Sequence, residues 1–266
     1  MVESIKVISI QSANASDTCQ QITRYLGEQL GMSTEFVHDV SWQQREQLLD
    51  TGQVHLGWIC GLPYVRKMER EPSSLELVAA PVMRHPRYQG RPIYFSDVIV
   101  QRDSKYYSFA DLRGVSWAYN EPHSQSGYNV TRYHLAQLGE SKGYFGRVVE
   151  AGSHLRALEM VLAGRIEATA IDSTVLELAC QVRPDLQTQL RVVETLGPSP
   201  MPPWVVTTTL PAELREAIRT VFWQMHKTAT GQAILERGQI MKLARVEDRD
   251  YDPIREMARV AAQVSW

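Results

Sequence analysis

The chain has 266 residues, 44% of them apolar and 22% charged, enough to bury a full core in one or two domains of roughly 150 residues each. Lys and Arg total 28 against 30 Asp and Glu, a net charge of −2, which removes the basic footprint of a nucleic-acid binder and of a protein held on an anionic membrane. Cys19, Cys60 and Cys180 are too few and too scattered for a disulfide framework or a thiolate zinc site.

No run of about 18 apolar residues is present, and the chain enters a strand pattern at Ile5–Ile10 with no basic and then apolar leader ahead of it. The expectation is either a cytoplasmic protein or a mature chain whose signal has been removed.

Short β-rich runs alternate with amphipathic stretches, the pattern of an α/β protein with largely parallel sheets. After the first strand, Ser16 or Asp17 caps a helix with Cys19, Ile22, Tyr25, Leu26 and Leu30 on one face and Gly31 as its stop. Glu35 to Val40 reads as a second strand. Ser41-Trp42-Gln43-Gln44 is a capping box that opens a helix burying Trp42, Leu48 and Leu49. Val54 to Ile59 is the third strand, and it runs into Cys60-Gly61-Leu62-Pro63-Tyr64, where Gly and Pro are expected to break regular structure at a strand's carboxyl end. Open α/β sheets bind ligands at such ends.

Leu75 to Val82 and Tyr94 to Val100 follow as strands. From Phe109-Ala110-Asp111-Leu112-Arg113-Gly114 the pattern starts over, with a strand at Val115 to Tyr119, a loop and a helix from about Ser126 to Leu138. A helix carrying Leu155, Leu158, Val161 and Leu162, a strand over Ala168 to Ile171 and a helix over Val175 to Cys180 come next. Arg191 to Leu196 is a strand, and Gly197-Pro198-Ser199-Pro200-Met201-Pro202-Pro203 is the densest cluster of breakers, placed where the chain would cross back to the first domain. A last strand at Trp204 to Thr208 precedes a helix opened by Pro211, with Leu214, Ile218, Val221, Phe222 and Met225 inward. The division is therefore 1–99 with 203–266 as the first lobe and 100–202 as the second, with a ligand cleft between them.

Four features bear on chemistry. Ser124, Gln125, Ser126 and Gly127 stand at a strand-to-helix turn, where helix-start N–H groups hold an anion without any Lys or Arg. The two hydroxyls are equally suited to capping the helix. Gly152-Ser153-His154 opens another helix, with His154 as a donor or as a capping side chain. Asp172 ends a buried-type strand and either faces the cleft or caps the helix after it. Cys60, at a strand end, is either an inert buried thiol or a nucleophile. The other histidines lack metal-binding spacing, and neither a Gly-x-Ser-x-Gly elbow nor a Walker A loop occurs. No metal and no cofactor is expected.

Taken in order, Gly61-Leu62-Pro63-Tyr64-Val65, Tyr94 to Val100, Ser108 to Gly114, Glu121-Pro122-His123-Ser124-Gln125-Ser126-Gly127-Tyr128, Gly152-Ser153-His154 and Ala170-Ile171-Asp172-Ser173 resemble the phosphate, phosphite and phosphonate substrate-binding proteins of ABC transporters over nearly the whole chain. The resemblance implies a two-lobe α/β type II periplasmic binding protein fold that closes by a hinge on a small anion and docks on a membrane permease, with no catalysis. It implies a ligand set of Tyr64, Tyr94, Ser124, Gln125, Ser126, His154 and Asp172, the tyrosines coming from the first lobe, and a periplasmic location if a signal has been removed. Gln125 stands where many members carry a hydroxyl; it keeps the backbone N–H and adds an amide. Trp58-Ile59-Cys60 and the Pro-rich Gly197 to Pro203 resemble a subgroup.

A buried carboxylate beside an anion is repelled unless the ligand carries a proton, so Asp172 would accept a hydrogen bond from a P–OH group and sulfate would be rejected. Two rival readings use the same scaffold. One is an enzyme with Cys60 as nucleophile, resembling thiaminase-type or pyrimidine-precursor enzymes, and the other is a ligand-sensing module.

Overall fold

The computed structural model describes residues 3–70 and 74–265, without the side chain of Trp42. The burial expected of Trp42 therefore lies outside the described residues. Along the chain the strands are β1 (Ser4–Ser9), β2 (Ser33–Phe36), β3 (Leu56–Trp58), β4 (Leu75–Met83), β5 (Ile93–Gln101), β6 (Ser116–Tyr119), β7 (Arg147–Glu150), β8 (Ala168–Asp172), β9 (Leu190–Pro200), β10 (Trp204–Thr207) and β11 (Ile240–Ala244). The chain forms two compact units, Met1–Ile93 with Met201–Tyr251, and Tyr94–Pro200 with Asp252–Trp266.

The first unit holds a six-stranded sheet in the order β11-β4-β10-β3-β1-β2. β1 pairs in parallel with β2 and β3, whereas β10 runs antiparallel to β3 and β4. Trp58 and Trp204, opposite each other on β3 and β10, stack with ring centroids 5.5 Å apart, and the helix Ser16–Leu30 buries Cys19, Ile22, Tyr25 and Leu26, as its spacing predicts. Gly61-Leu62-Pro63-Tyr64 does not break structure. It is the first turn of the helix Gly61–Met68, because a proline there gives up only an N–H that has no acceptor within the helix.

The second unit holds a five-stranded sheet in the order β7-β6-β8-β5-β9. β6 pairs in parallel with β7 on one side and β8 on the other, and β5 runs antiparallel to β8. Alternation sends Val98, Val100, Trp117, Ala168 and Ala170 to one face, where they pack with Val130 and Leu135 of the helix Val130–Gln137. Ile99, Ala118 and Ile171 go to the other face, against Ala157, Leu158 and Val161 of the helix His154–Leu162. A sheet covered by helices on both faces needs apolar side chains on both, which explains why Val98, Ile99 and Val100 of β5 are apolar without alternation.

Two features of the expected division change. The boundary at residue 99 places most of β5 in the first lobe, yet its ladder with β8 puts it in the second unit. The final helix Asp252–Ala261, expected in the first lobe with the rest of 203–266, also joins the second unit, where Met257 enters the same core as Val130. β9 runs through Gly197, whose bond to Pro198 is cis, and reaches Pro200. As an edge strand it tolerates prolines that a central strand would not.

Candidate functional site

The chain leaves β6 to one neighbouring position, β7, and then returns past it to β8 on the other side. The carboxyl ends of β6 and β8 therefore flank a topological switch point, where connections diverge to opposite faces and leave a crevice. Ser124, Gln125 and Ser126 follow β6, His154 follows β7, Asp172 ends β8, and Tyr94 lies at the start of antiparallel β5, at this same edge.

Ser124 is the N-cap of a π-helical turn, Gln125–Asn129, that continues into the helix Val130–Gln137; its Oγ accepts the Gly127 N–H at 3.1 Å. The hydroxyl caps the turn and also lies 3.3 Å from the Ser126 hydroxyl. Ser126 Oγ is 2.8 Å from His154 Nε2. Ser153 takes over the capping at the second helix, where its Oγ accepts the Arg156 N–H, so His154 is left to face Ser126. Burial pushes the His154 imidazole down to about 4, against a smaller opposing effect of the Ala170 carbonyl. The ring is therefore neutral at pH 7 and, with Ser126, forms a polar pair without a charge.

Asp172 caps the helix Ser173–Val182 through Oδ1, which accepts both the N–H and the hydroxyl of Thr174 at 2.8 and 2.7 Å. Burial pushes its carboxyl up to about 6 in spite of those bonds, which favour the ionised form. Nearby Asp97 pushes in the same direction as burial. A carboxyl in that range takes or gives up a proton near neutral pH, which suits it to share one with a protonated oxyanion.

Gly127 is required at its position. A Cβ built there would stand 2.1 Å from Asn120 Oδ1 and 3.0 Å from His154 Cε1, so the side chains of Asn120 and His154 close over the start of the helix only because no side chain intervenes. Asn120 was not among the expected residues, and its only sequence signal is its place directly after β6.

The remaining expected residues are placed differently. The Gln125 side chain is wholly buried inside the second unit. Its Oε1 accepts from Asn129 Nδ2 at 2.8 Å, and its Nε2 donates to Ser199 Oγ at 3.2 Å and lies 3.1 Å from Met257 Sδ. Tyr94, expected from the first lobe, belongs to the second unit with β5. Tyr64 is in the first unit, fully buried, where its hydroxyl donates to Asp248 at 2.8 Å and its ring lies 4.7 Å from that of Tyr251. Cys60 is the half-buried N-cap of the helix Gly61–Met68. Among the described residues no cluster of His, Cys, Asp and Glu is arranged to hold a metal ion, and no helix is long and apolar enough to cross a membrane.

Known proteins with similar sequence or architecture include phosphonate-binding proteins. The phosphonates-binding periplasmic protein of Escherichia coli K12 is 25% identical over 213 residues, 77% of this chain and 60% of that protein's length. The chain thus spans less than two thirds of this relative. A binding protein component of a phosphonate ABC transporter from Pseudomonas aeruginosa superimposes with a TM-score of 0.85 at 21% identity, over 98% of this chain and 87% of that one. PhnD1 from Prochlorococcus marinus, solved in complex with methylphosphonate, gives a TM-score of 0.86 at 18% identity, over 98% and 99%. These likenesses show the two-lobe type II periplasmic binding protein fold. Residues 5–251 match the model of the ABC transporter, phosphonate, periplasmic substrate-binding protein family, and the chain belongs to that family.

Proposed function

We propose that this protein is a solute-binding protein that captures a small phosphorus oxyanion, a phosphonate in the first instance and phosphite or phosphate as close analogues, for delivery to an ABC permease in the periplasm. The observation that carries the reading is the convergence, at the switch point of the second sheet, of the Ser124 and Ser126 hydroxyls, the neutral His154 ring and the Asp172 carboxyl. Helix-start N–H groups and hydroxyls supply donors to the anionic oxygens, and Asp172 supplies the acceptor for a P–OH. None of these groups is a fixed cation, so the site recognises hydrogen-bond pattern and protonation state rather than charge alone.

The Gln125 amide is taken up by Ser199, Met257 and Asn129, which supports a role for its side chain in anchoring the π-helical turn. Membership in a family of binding proteins supports a role without catalysis over the reading of Cys60 as a nucleophile. The test is thermal unfolding with methylphosphonate, 2-aminoethylphosphonate, phosphite, phosphate and sulfate. A ligand at 100 times its Kd stabilises the folded state by about 2.7 kcal/mol, so at least one phosphorus compound raises Tm and sulfate does not. A flat response to all five overturns the reading.

A further inference from the structure

We infer that the hydroxyl of Ser96 is a further ligand-binding group, donating a hydrogen bond to an oxygen of the bound oxyanion beside Asp172. The inference rests on the anion-capture reading above and names a contact that the resemblance does not supply.

Ser96 lies on β5 and is 1% exposed, and its Oγ has no hydrogen-bonding partner among the described residues. Buried hydroxyls are nearly always paired, because leaving one unpaired loses its hydration without replacement. The antiparallel register sets Ser96 directly opposite Asp172, so their side chains leave the sheet on the same face with Cβ atoms about 5 Å apart. That face is the one on which Val98, Val100 and Ala170 pack with Val130 and Leu135, and it therefore carries the helix whose start presents Ser124 and Ser126. A buried hydroxyl with no partner thus stands beside the carboxyl that would accept the ligand's proton, on the sheet face that carries the helix whose start would bind its charged oxygens.

Two neighbouring residues show why this one stands out. Asn120 Oδ1 also lacks a hydrogen-bonding partner, but it packs over the Gly127 backbone and has a positioning role there. Ser173, next to Asp172, already accepts the Phe95 N–H at 3.1 Å.

The test is calorimetric titration of the full chain with methylphosphonate, phosphite and phosphate, comparing wild type, Ser96→Ala and Ser104→Ala. Ser104 also has a buried hydroxyl with no partner, but it lies past the opposite end of β5 and serves as the control. Ser96→Ala removes an unpaired buried group, so it folds with an unliganded Tm equal to or above that of wild type. Its affinity for the phosphorus compound that wild type binds best falls at least about tenfold, as expected when a hydrogen bond to a charged ligand is lost, while Ser104→Ala stays within about twofold. Binding of Ser96→Ala within twofold of wild type overturns the inference and leaves the capture reading intact. Failure of wild type to bind any of the three overturns both.

Discussion

Ser126 and His154 are 28 positions apart in the chain and meet hydroxyl to Nε2 at 2.8 Å, each placed by the loop after a different parallel strand. The contact exists because β7 is the outer neighbour of β6, so consecutive helix starts converge at one end of the sheet. If this pair holds an oxyanion oxygen, His154→Ala weakens methylphosphonate binding about tenfold or more, the size of one hydrogen bond to a charged group. His154→Gln, which keeps a neutral polar group, recovers part of the loss. Equal affinities in all three proteins would remove His154 from the site.

The two buried titratable groups impose opposite pH dependences on the unliganded protein. His154 is pushed down from 6.5 to about 4, so between those values the unfolded chain binds more protons and its contribution to stability falls as pH falls. Asp172 is pushed up from 3.8 to about 6. Between those values the folded chain binds more protons, and its contribution is lost as pH rises through 6. Relative to wild type, Asp172→Asn should lose stability as pH drops from 6 to 4, and His154→Gln should gain it from 6.5 to 4. Urea unfolding at several pH values reads both slopes, and parallel curves for the three proteins would contradict the assigned environments.

Replacing Asp172 by Asn separates its two roles. Asn is as good an N-cap as Asp, so the helix Ser173–Val182 survives with a stability change under about 1 kcal/mol. The acceptor for a ligand proton becomes in part a donor. Affinity for methylphosphonate drops about tenfold or more, and discrimination against sulfate narrows. Asp172→Asn binding methylphosphonate like wild type, with sulfate still excluded, would show that the carboxyl does not read the ligand's proton.

Gly127→Ala drives a methyl group into Asn120 Oδ1 and should cost about 1–3 kcal/mol, the usual penalty of overpacking, with a loss of ligand affinity because the helix start moves. Asn120→Gly in the same chain removes the clash and restores part of both. Thermal unfolding and titration of the single and double variants measure the coupling, and additive effects would mean that the two residues do not meet.

Gln125→Leu takes the acceptor from Asn129 Nδ2 and the amide donor from Ser199 Oγ and should destabilise the protein by about 1–3 kcal/mol. Affinity for methylphosphonate should change less than in His154→Ala. A wild-type Tm with abolished binding would instead make the amide a ligand contact.

Much of this architecture was legible in the sequence because apolar spacing and strand-end breakers are local signals. The helix face at Cys19, Ile22, Tyr25 and Leu26, and the placing of Ser124, Ser126, His154 and Asp172 at element boundaries, follow from such signals. Pairing is not local. β5 carries an apolar run suited to either sheet, and only its ladder with β8 decides that Tyr94 belongs to the second unit. The amide of Gln125 has the chemistry of a ligand group, and its inward direction is set by Ser199 and Met257, remote in sequence. Ser96 gave no signal, since its interest lies in facing Asp172 across the register. Pro63 and Pro198 signal breaks in the sequence, although a helix's first turn and an edge strand both accept proline.

Capture of an oxyanion that carries a proton is read out by calorimetric titration of the wild-type protein with methylphosphonate and sulfate at pH 7. Saturable one-to-one binding of methylphosphonate, with sulfate at least about a hundredfold weaker, is the predicted result. Sulfate binding as tightly as methylphosphonate, or neither binding at all, would contradict it.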